Sequence, residues 1–330
     1  MKYFVTGHTG FKGSWYAIRL FLQGHEVFGY ALDPLANGIF DIANVKHVLS
    51  DDIRADIRNT SLLQQEIKRI QPDVVVHLAA QPLVMTSYQY PNETFECNSG
   101  GTLSLLNSCL EVPSIKAIAI ITTDKVYENS GRKRAFSEAD PLGAGDPYST
   151  SKAMADLLTQ SWMKSISKIP IGIFRAGNVI GGGDVSPNRL IPDLVDAERS
   201  NRRTLLRNPR AVRPWQHVLD CLAGYQIAIN WIIENQQNLI LNFGPDFGDY
   251  ESVEDIARKY VEIDFVNFAS PPEAEFLTLD SSKAKNLLAW NDKLNVQESL
   301  EYTHRWYKAQ EEGQDMLQFS IQQINLFESK

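Results

Sequence analysis

Two side chains of opposite acid–base character stand four residues apart in Tyr148-Ser-Thr-Ser-Lys152, and a polar triplet, Thr123-Asp124-Lys125, precedes them by some two dozen residues. On a helix, positions i and i+4 share a face, so the ammonium is expected beside the phenol. A phenol near pKa ~10 is a poor base at neutral pH, and a neighbouring cation favours its anion. A shift of ~3 units corresponds to ~4 kcal/mol, within reach of a lysine and a second cation in a low-dielectric cleft. Such a pair can take a proton from a substrate hydroxyl while a hydride leaves the adjacent carbon. The spacing alone arises by chance on many exposed helices, so its companions must give it meaning.

The first companion is an N-terminal turn. Lys2 to Thr6 reads as a short buried strand, Gly7-His-Thr-Gly10-Phe-Lys-Gly13 follows at once, and Trp15 to Leu22 has apolar residues at helical spacing. Strand, glycine turn and helix form the context of a dinucleotide fingerprint, in which backbone N–H groups approach a pyrophosphate at the helix N-terminus. The spacing is G-x-x-G-x-x-G, longer than the commoner G-x-G-x-x-G. A second strand, Glu26 to Leu32, ends at Asp33, twenty residues beyond Gly13. A carboxylate there can accept the ribose hydroxyls of an adenosine and repel a 2′-phosphate, which favours NAD over NADP; the other reading of Asp33 is a turn residue before Pro34. No arginine follows immediately in sequence to offer a phosphate site.

The elements that must position these groups alternate. Further strands are expected at Val48–Asp56, Asp73–Ala80, Ile115–Thr122 and Ile169–Arg175, with helices at Leu62–Ile70, Thr94–Cys109 and Pro147–Ser165. This order specifies an α/β fold with a doubly wound parallel, Rossmann-type sheet. Thr123-Asp124-Lys125 and Asn178 fall just past strand ends, where ligands bind in this architecture. Residues 1–180 are expected to form the cofactor-binding domain. Residues 181–330 are expected mainly to form a smaller substrate lobe, with segments at about 210–245 returning to the large domain. Leu317, Ile321 and Ile324 suggest a docked terminal helix.

At 330 residues, 43% hydrophobic and 22% charged, the chain has the make-up of a globular protein with a sizeable core. A formal net charge of −8 argues against nucleic acid or an anionic membrane as partner. Cys97, Cys109 and Cys221 form no C-x-x-C, so neither a disulfide framework nor a metal site is expected. The chain opens in a strand and no apolar run approaches ~18 residues, which makes the cytoplasm the expected compartment. His8, His77 and His217 read mainly as structural.

Assembled, these residues resemble the extended short-chain dehydrogenase/reductase family of NAD-dependent sugar-nucleotide epimerases and dehydratases. The likeness runs nearly end to end through VTGHTGFKGSW (5–15), HLAAQPLV (77–84), TTDKVYEN (122–129), DPYSTSK (146–152), RAGNVIGGGD (175–184), RPWQHVL (213–219) and LDSSKA (279–284). Within the family, related dehydratases acting on other nucleotide sugars carry Glu where Lys125 stands, and the Thr-Asp-Lys form resembles the CDP-sugar group. The resemblance implies a redox-neutral dehydration of a nucleotide-diphosphate hexose, CDP-glucose first, to a 4-keto-6-deoxy sugar. Tyr148, paired with Lys152, takes the O4 proton as NAD⁺ takes the C4 hydride; the ketone acidifies C5–H, water leaves C6, and hydride returns there.

By the same analogy Thr123 holds O4, Asp124 is the acid for the 6-hydroxyl, and Lys125 occupies the place of the C5 base. Lysine acts as a base only if its pKa falls; otherwise Lys125 is a charge that holds Asp124 or the sugar hydroxyls. The cofactor is expected on Gly7, Thr9, Gly10, Phe11, Lys12 and Gly13, with Asp33, Asp56 and Ile57 at the adenosine, and Leu78, Ala79 and Ala80 along the pyrophosphate side. Asn98 is expected to order the active-site region. Asn178, Arg189, Leu190 and Arg213 are expected at the substrate diphosphate, with Arg207 and Asn242 as further candidates. Met85-Thr86 and Gly145 depart from the family pattern near the sugar pocket. A homodimer through the Tyr148–Ser165 helix is implied by the same likeness. A sugar-nucleotide epimerase is the main competing reading, and a non-catalytic NAD-sensing protein the remote one.

Overall fold

Alternate residues of the central strands face opposite ways, and each set has its own apolar cluster. Tyr3, Val5, Val74, Val76, Ala117 and Ala119 pack on one face, whereas Phe4, Val75, Ile118 and Ile120 pack on the other. Strands covered on both faces read as continuous apolar runs, which is why they are legible in sequence. The computed structural model describes residues 1–131, 133–143, 145–206, 208–245, 250–265 and 274–330.

The strands in chain order are β1 (Lys2–Thr6), β2 (Glu26–Ala31), β3 (Asp51–Arg54), β4 (Val74–His77), β5 (Ala117–Thr123), β6 (Ile171–Ala176), β7 (Asn178–Ile180), β8 (Thr204–Leu206), β9 (Val212–Arg213), β10 (Trp215–His217), β11 (Leu239–Phe243), β12 (Glu251–Ser252) and β13 (Ile263–Phe265). Seven of them form one sheet in the order β11-β6-β5-β4-β1-β2-β3, parallel throughout. The order reverses between β1 and β4, and the C-terminal ends of those two strands open a crevice there. The other strands make three two-stranded pieces, β10–β7, β12–β9 and β13–β8.

Helices α1 (Phe11–Leu22), α2 (Ile39–Ile42) and α3 (Thr60–Ile70) belong to the first half, with α4 (Val84–Gln89), α5 (Pro91–Phe95), α6 (Gly101–Cys109) and α7 (Pro147–Ser165). The second half holds α8 (Leu190–Arg199), α9 (Val218–Asn235), α10 (Val253–Ala257), α11 (Ser282–Leu288), α12 (Val296–Glu311) and α13 (Met316–Glu328). Among the described residues no helix is long and apolar enough to cross a membrane.

Two departures from expectation bear on the site. The helix expected over Thr94–Cys109 is broken into α5 and α6 by a π turn at Glu96–Gly100. The extra residue of a π turn re-aims a side chain, a common device beside functional sites. Here Asn98, fully buried, holds the backbone N–H and C=O of Gln81 and the hydroxyl of Ser151. The second departure is at β4, which ends at His77, so Leu78–Ala80 leave the ladder and turn over the crevice.

Candidate active site

Gly7 has φ +74°, and a Cβ there would lie 2.6 Å from the backbone nitrogen of Ala79; one on Gly13 would lie 2.1 Å from the carbonyl oxygen of Gly7. The turn is therefore closed on itself and on the end of β4, with no room for side chains at either position. α1 begins after Gly10 with no side-chain cap and no acid in its first turn, so its first N–H groups are left for an anion. This cradle fits the pyrophosphate of a dinucleotide. Beneath it, His8 Nε2 meets Asp52 Oδ1 at 2.8 Å, and burial holds the imidazole pKa low.

The cradle opens into a cavity of about 1560 Å³. Single-ligand pockets run to about 1,000 Å³, so there is room for two nucleotide-sized molecules. Gly7, Thr9 to Gly13, Asp33, Asp56, Ile57 and Leu78 to Ala80 line one part. Asp33 is almost fully exposed, and Arg54, from the end of β3, reaches it at 3.9 Å. No arginine follows Asp33 in sequence, and it is the sheet that brings in this one from a strand remote in the chain. Arg54 is itself held by Asp52 and lies over the Phe40 ring at 4.7 Å. Asp56 is bound by Arg58, whose hydrogen bonds lower the carboxyl pKa.

The proton-moving candidates converge where β5 and α7 meet. Asp146 caps α7 by accepting the N–H of Ser149, and Ser87 accepts the N–H of Tyr148 at 3.1 Å. Tyr148, Lys152, Thr123, Asp124 and Lys125 all line the cavity. Thr123 Oγ1 donates to Asp124 Oδ1 at 2.8 Å and accepts the backbone N–H of Lys125 at 3.3 Å. The Asp124 carboxyl is buried, its Oδ2 has no partner, and burial raises its pKa against the Thr123 bond and the charges of Lys125, Arg213 and Lys12. Gly177 packs close by, where a Cβ would lie 2.5 Å from Pro214 Cγ and 3.2 Å from Asp124 Oδ2.

The phenol and ammonium differ from the expected contact. Lys152 Nζ donates to the Ile121 carbonyl at 2.8 Å, and burial brings its pKa down to about 8. Burial pushes Tyr148 up to about 12, while Thr123 and the charge of Arg189 pull the other way. The pair share a helix face and a cavity, but the buried Ile121 carbonyl of β5 takes the ammonium.

Asn178, Arg189, Leu190 and Arg213 line the same cavity. Arg189 Nη1 donates to Asp184 Oδ2 at 2.8 Å, and Arg213 is buried with Nη1 on the Val212 carbonyl. Asn242 does not reach the cavity. It is fully buried, accepting from the Tyr127 hydroxyl and donating to the carbonyls of Phe136 and Asp280. Its expected substrate contact is thus replaced by a packing role. Arg207 lies outside the described residues. Asn98 lies behind the lining and acts through Gln81 and Ser151. Met85, Thr86 and Gly145 line the cavity. His77 is tied to Thr6 and Thr102 and His217 caps α9, each with its pKa lowered to about 3 by burial. Sequence reasoning missed Gly177, Ser87, Arg54 and Asp184. The first and last stand inside the RAGNVIGGGD stretch, so that motif carried a signal for them.

Fold and site together define a class. Residues 3–244 match the NAD dependent epimerase/dehydratase family, and the chain belongs to it; NAD is the cofactor of that family. Among named relatives, the chain is 39% identical to the CDP-glucose 4,6-dehydratase of Salmonella typhimurium, over 98% of this chain and 95% of that one. It is 26% identical to the dTDP-D-glucose 4,6-dehydratase of Dictyostelium discoideum over 93% of this chain and 81% of the relative. Among solved structures, Pal from Bacillus thuringiensis superposes with a TM-score of 0.83 at 28% identity, covering 94% of this chain and 99% of that one. DesIV, the dTDP-glucose 4,6-dehydratase of Streptomyces venezuelae with NAD and TYD bound, superposes at 0.82 with 24% identity, covering 96% and 100%, a likeness of fold.

Proposed function

We propose that the protein is a 4,6-dehydratase of a nucleotide-diphosphate hexose, CDP-D-glucose in the first place. The observation that carries this reading is Asp124, a buried carboxyl at the cavity wall whose Oδ2 has no partner and whose pKa burial raises, the direction that favours its acid form. Elimination of a sugar hydroxyl needs such an acid, whereas epimerisation does not. The end-to-end likeness to the Salmonella CDP-glucose 4,6-dehydratase supports the choice of base and hexose.

NAD, when bound, supplies the oxidation at sugar C4 and its reversal at C6. Gly7, Gly13 and the N-terminus of α1 hold its pyrophosphate, and Asp33 its ribose. Asn178, Arg189 and Arg213 hold the substrate diphosphate, where arginine forks suit phosphate oxygens. Tyr148 Oη takes the O4 proton and Thr123 keeps the phenol and O4 in line. Lys125 removes the C5 proton while Asp124 gives its own to the departing 6-hydroxyl. Lys125 then returns its proton to C5. The proton gained by Tyr148 balances the one lost by Asp124, so the net change is one water.

Incubation of the holoenzyme with CDP-, dTDP-, GDP- and UDP-hexoses tests the reading. A 4-keto-6-deoxy product from CDP-glucose, detected by its absorbance in alkali, is expected. A C4 epimer without keto product would replace the dehydratase by an epimerase.

A further inference from the structure

Behind the cavity wall, Asp156 lies on α7 one turn beyond Lys152 and two beyond Tyr148, on the same face. It is fully buried, as is Arg175 on β6, and the two form a bidentate pair with Nε to Oδ2 and Nη2 to Oδ1 both at 2.8 Å. Asp156 Oδ2 also accepts from Thr122 Oγ1 at 3.1 Å, and Gln160 closes the remaining site on Oδ1 at 2.9 Å. Arg175 Nη1 donates to the Tyr127 hydroxyl at 2.9 Å, and the guanidinium lies 5.0 Å from the centre of that ring. Tyr127 in turn donates to Asn242 at 2.6 Å and stacks on Phe136.

Thr122 immediately precedes the Thr123-Asp124-Lys125 triplet and Tyr127 follows it by two residues. The buried pair therefore grips the triplet on both sides and ties it to the helix that carries Tyr148 and Lys152. A pair buried this deeply is a poor way to gain stability, since apolar residues of similar volume often serve as well or better. Its geometry points elsewhere. We infer that Asp156 and Arg175 are positioning residues that fix the Tyr148–Lys152 face of α7 against Thr123 and Asp124, and so govern turnover rather than substrate affinity. The inference rests on the reading of Tyr148 and Asp124 as proton-moving groups.

The test compares wild type, Asp156→Asn and the apolar double variant Asp156→Leu/Arg175→Met as holoenzymes. Melting temperature, bound NAD, KM and kcat are measured with whichever nucleotide sugar the wild type turns over. A displacement of about 1 Å can lower a rate about 10²-fold, so kcat is expected to fall by that order with NAD content and KM little changed. A folded double variant that turns over at the wild-type rate overturns the inference, since the pair would then only fill space. Should neither variant fold, Thr122→Val decides. It removes only the hydroxyl tie to β5, with a kcat loss of about 10-fold expected and an unchanged kcat refuting. No turnover by the wild type on any nucleotide sugar would instead refute the dehydratase reading itself.

Discussion

Asp124→Asn changes one atom of a buried carboxyl and keeps its shape. Oδ1 is retained to accept the Thr123 hydroxyl, and Oδ2, which has no partner, becomes an amide nitrogen equally without one. The fold is expected to survive the change. General acid catalysis is worth about 10²–10⁴-fold, or about 2.7–5.4 kcal/mol of barrier, and the amide cannot supply the proton. Elimination is expected to slow by that factor, while proton removal from O4, the task of Tyr148, proceeds. In stopped-flow absorbance the variant should therefore accumulate reduced cofactor in the first turnover and release little keto product. Stability gives an independent readout. Because burial raises the Asp124 pKa above its unfolded value, the native state holds the proton more tightly than the unfolded chain. Its stabilising contribution is fully present below the unfolded pKa and is lost as pH rises through the folded one. The variant should melt near the wild type at low pH and gain on it as pH increases. Keto product formed within about threefold of the wild-type rate would refute the role of Asp124, because an acid contribution smaller than that lies below the range of general acid catalysis.

Tyr148→Phe is expected to keep the fold and the bound NAD and to lower turnover by at least about 10²-fold, measured by product absorbance. Lys125→Met should allow oxidation at C4 but block removal of the C5 proton, so hydrogen exchange at C5 followed by mass spectrometry should stop. Gly7→Ala places a Cβ 2.6 Å from Ala79 N at a φ of +74°. Strain of about 1–3 kcal/mol should lower the melting temperature and reduce the NAD retained through gel filtration. Asp220, raised to about 8 by burial, should make the protein less stable to urea as pH rises from its unfolded value through that point, and Asp220→Asn should flatten the slope.

The sheet was legible because its strands are buried on both faces. Val74–Val76 and Ile118–Ile121 are unbroken apolar runs that only a covered parallel strand requires. Their ends were less so. β3 shrank to Asp51–Arg54 because Val45–Val48 coils into a 3₁₀ turn, a choice made by packing on α1 rather than by pattern. The π turn at Glu96–Gly100 left no trace in the helical period, which shifts by a single residue there. α9 escaped notice because it is buried nearly all round and so lacks a polar stripe. At the site, residue types and spacing disclosed Tyr148, Thr123 and Asp124, but not the Ile121 carbonyl that takes Lys152 or the orphan oxygen of Asp124. Those depend on which groups the packed chain brings within reach of each side chain, which residue spacing does not record. Asn242 misled for a related reason, since likeness fixes a position along β11 but not which neighbours its side chain meets.

The glycine stretch at 181–183 carries a consequence for biosynthesis. A Cβ on Gly182 would lie 2.1 Å from the ring of Trp306, the indole of Trp15 donates to the Gly182 carbonyl, and Tyr307 reaches the carbonyl of Asp184, the partner of Arg189. A chain emerging from the ribosome can assemble β1 to β6 early, yet the wall beside Arg189 stays without its bracing until α12 has been made. Nonsense mutations that remove the last thirty or so residues also take Trp306 and Phe327 from the core that holds Trp15, and should therefore yield unstable protein rather than a shorter working one.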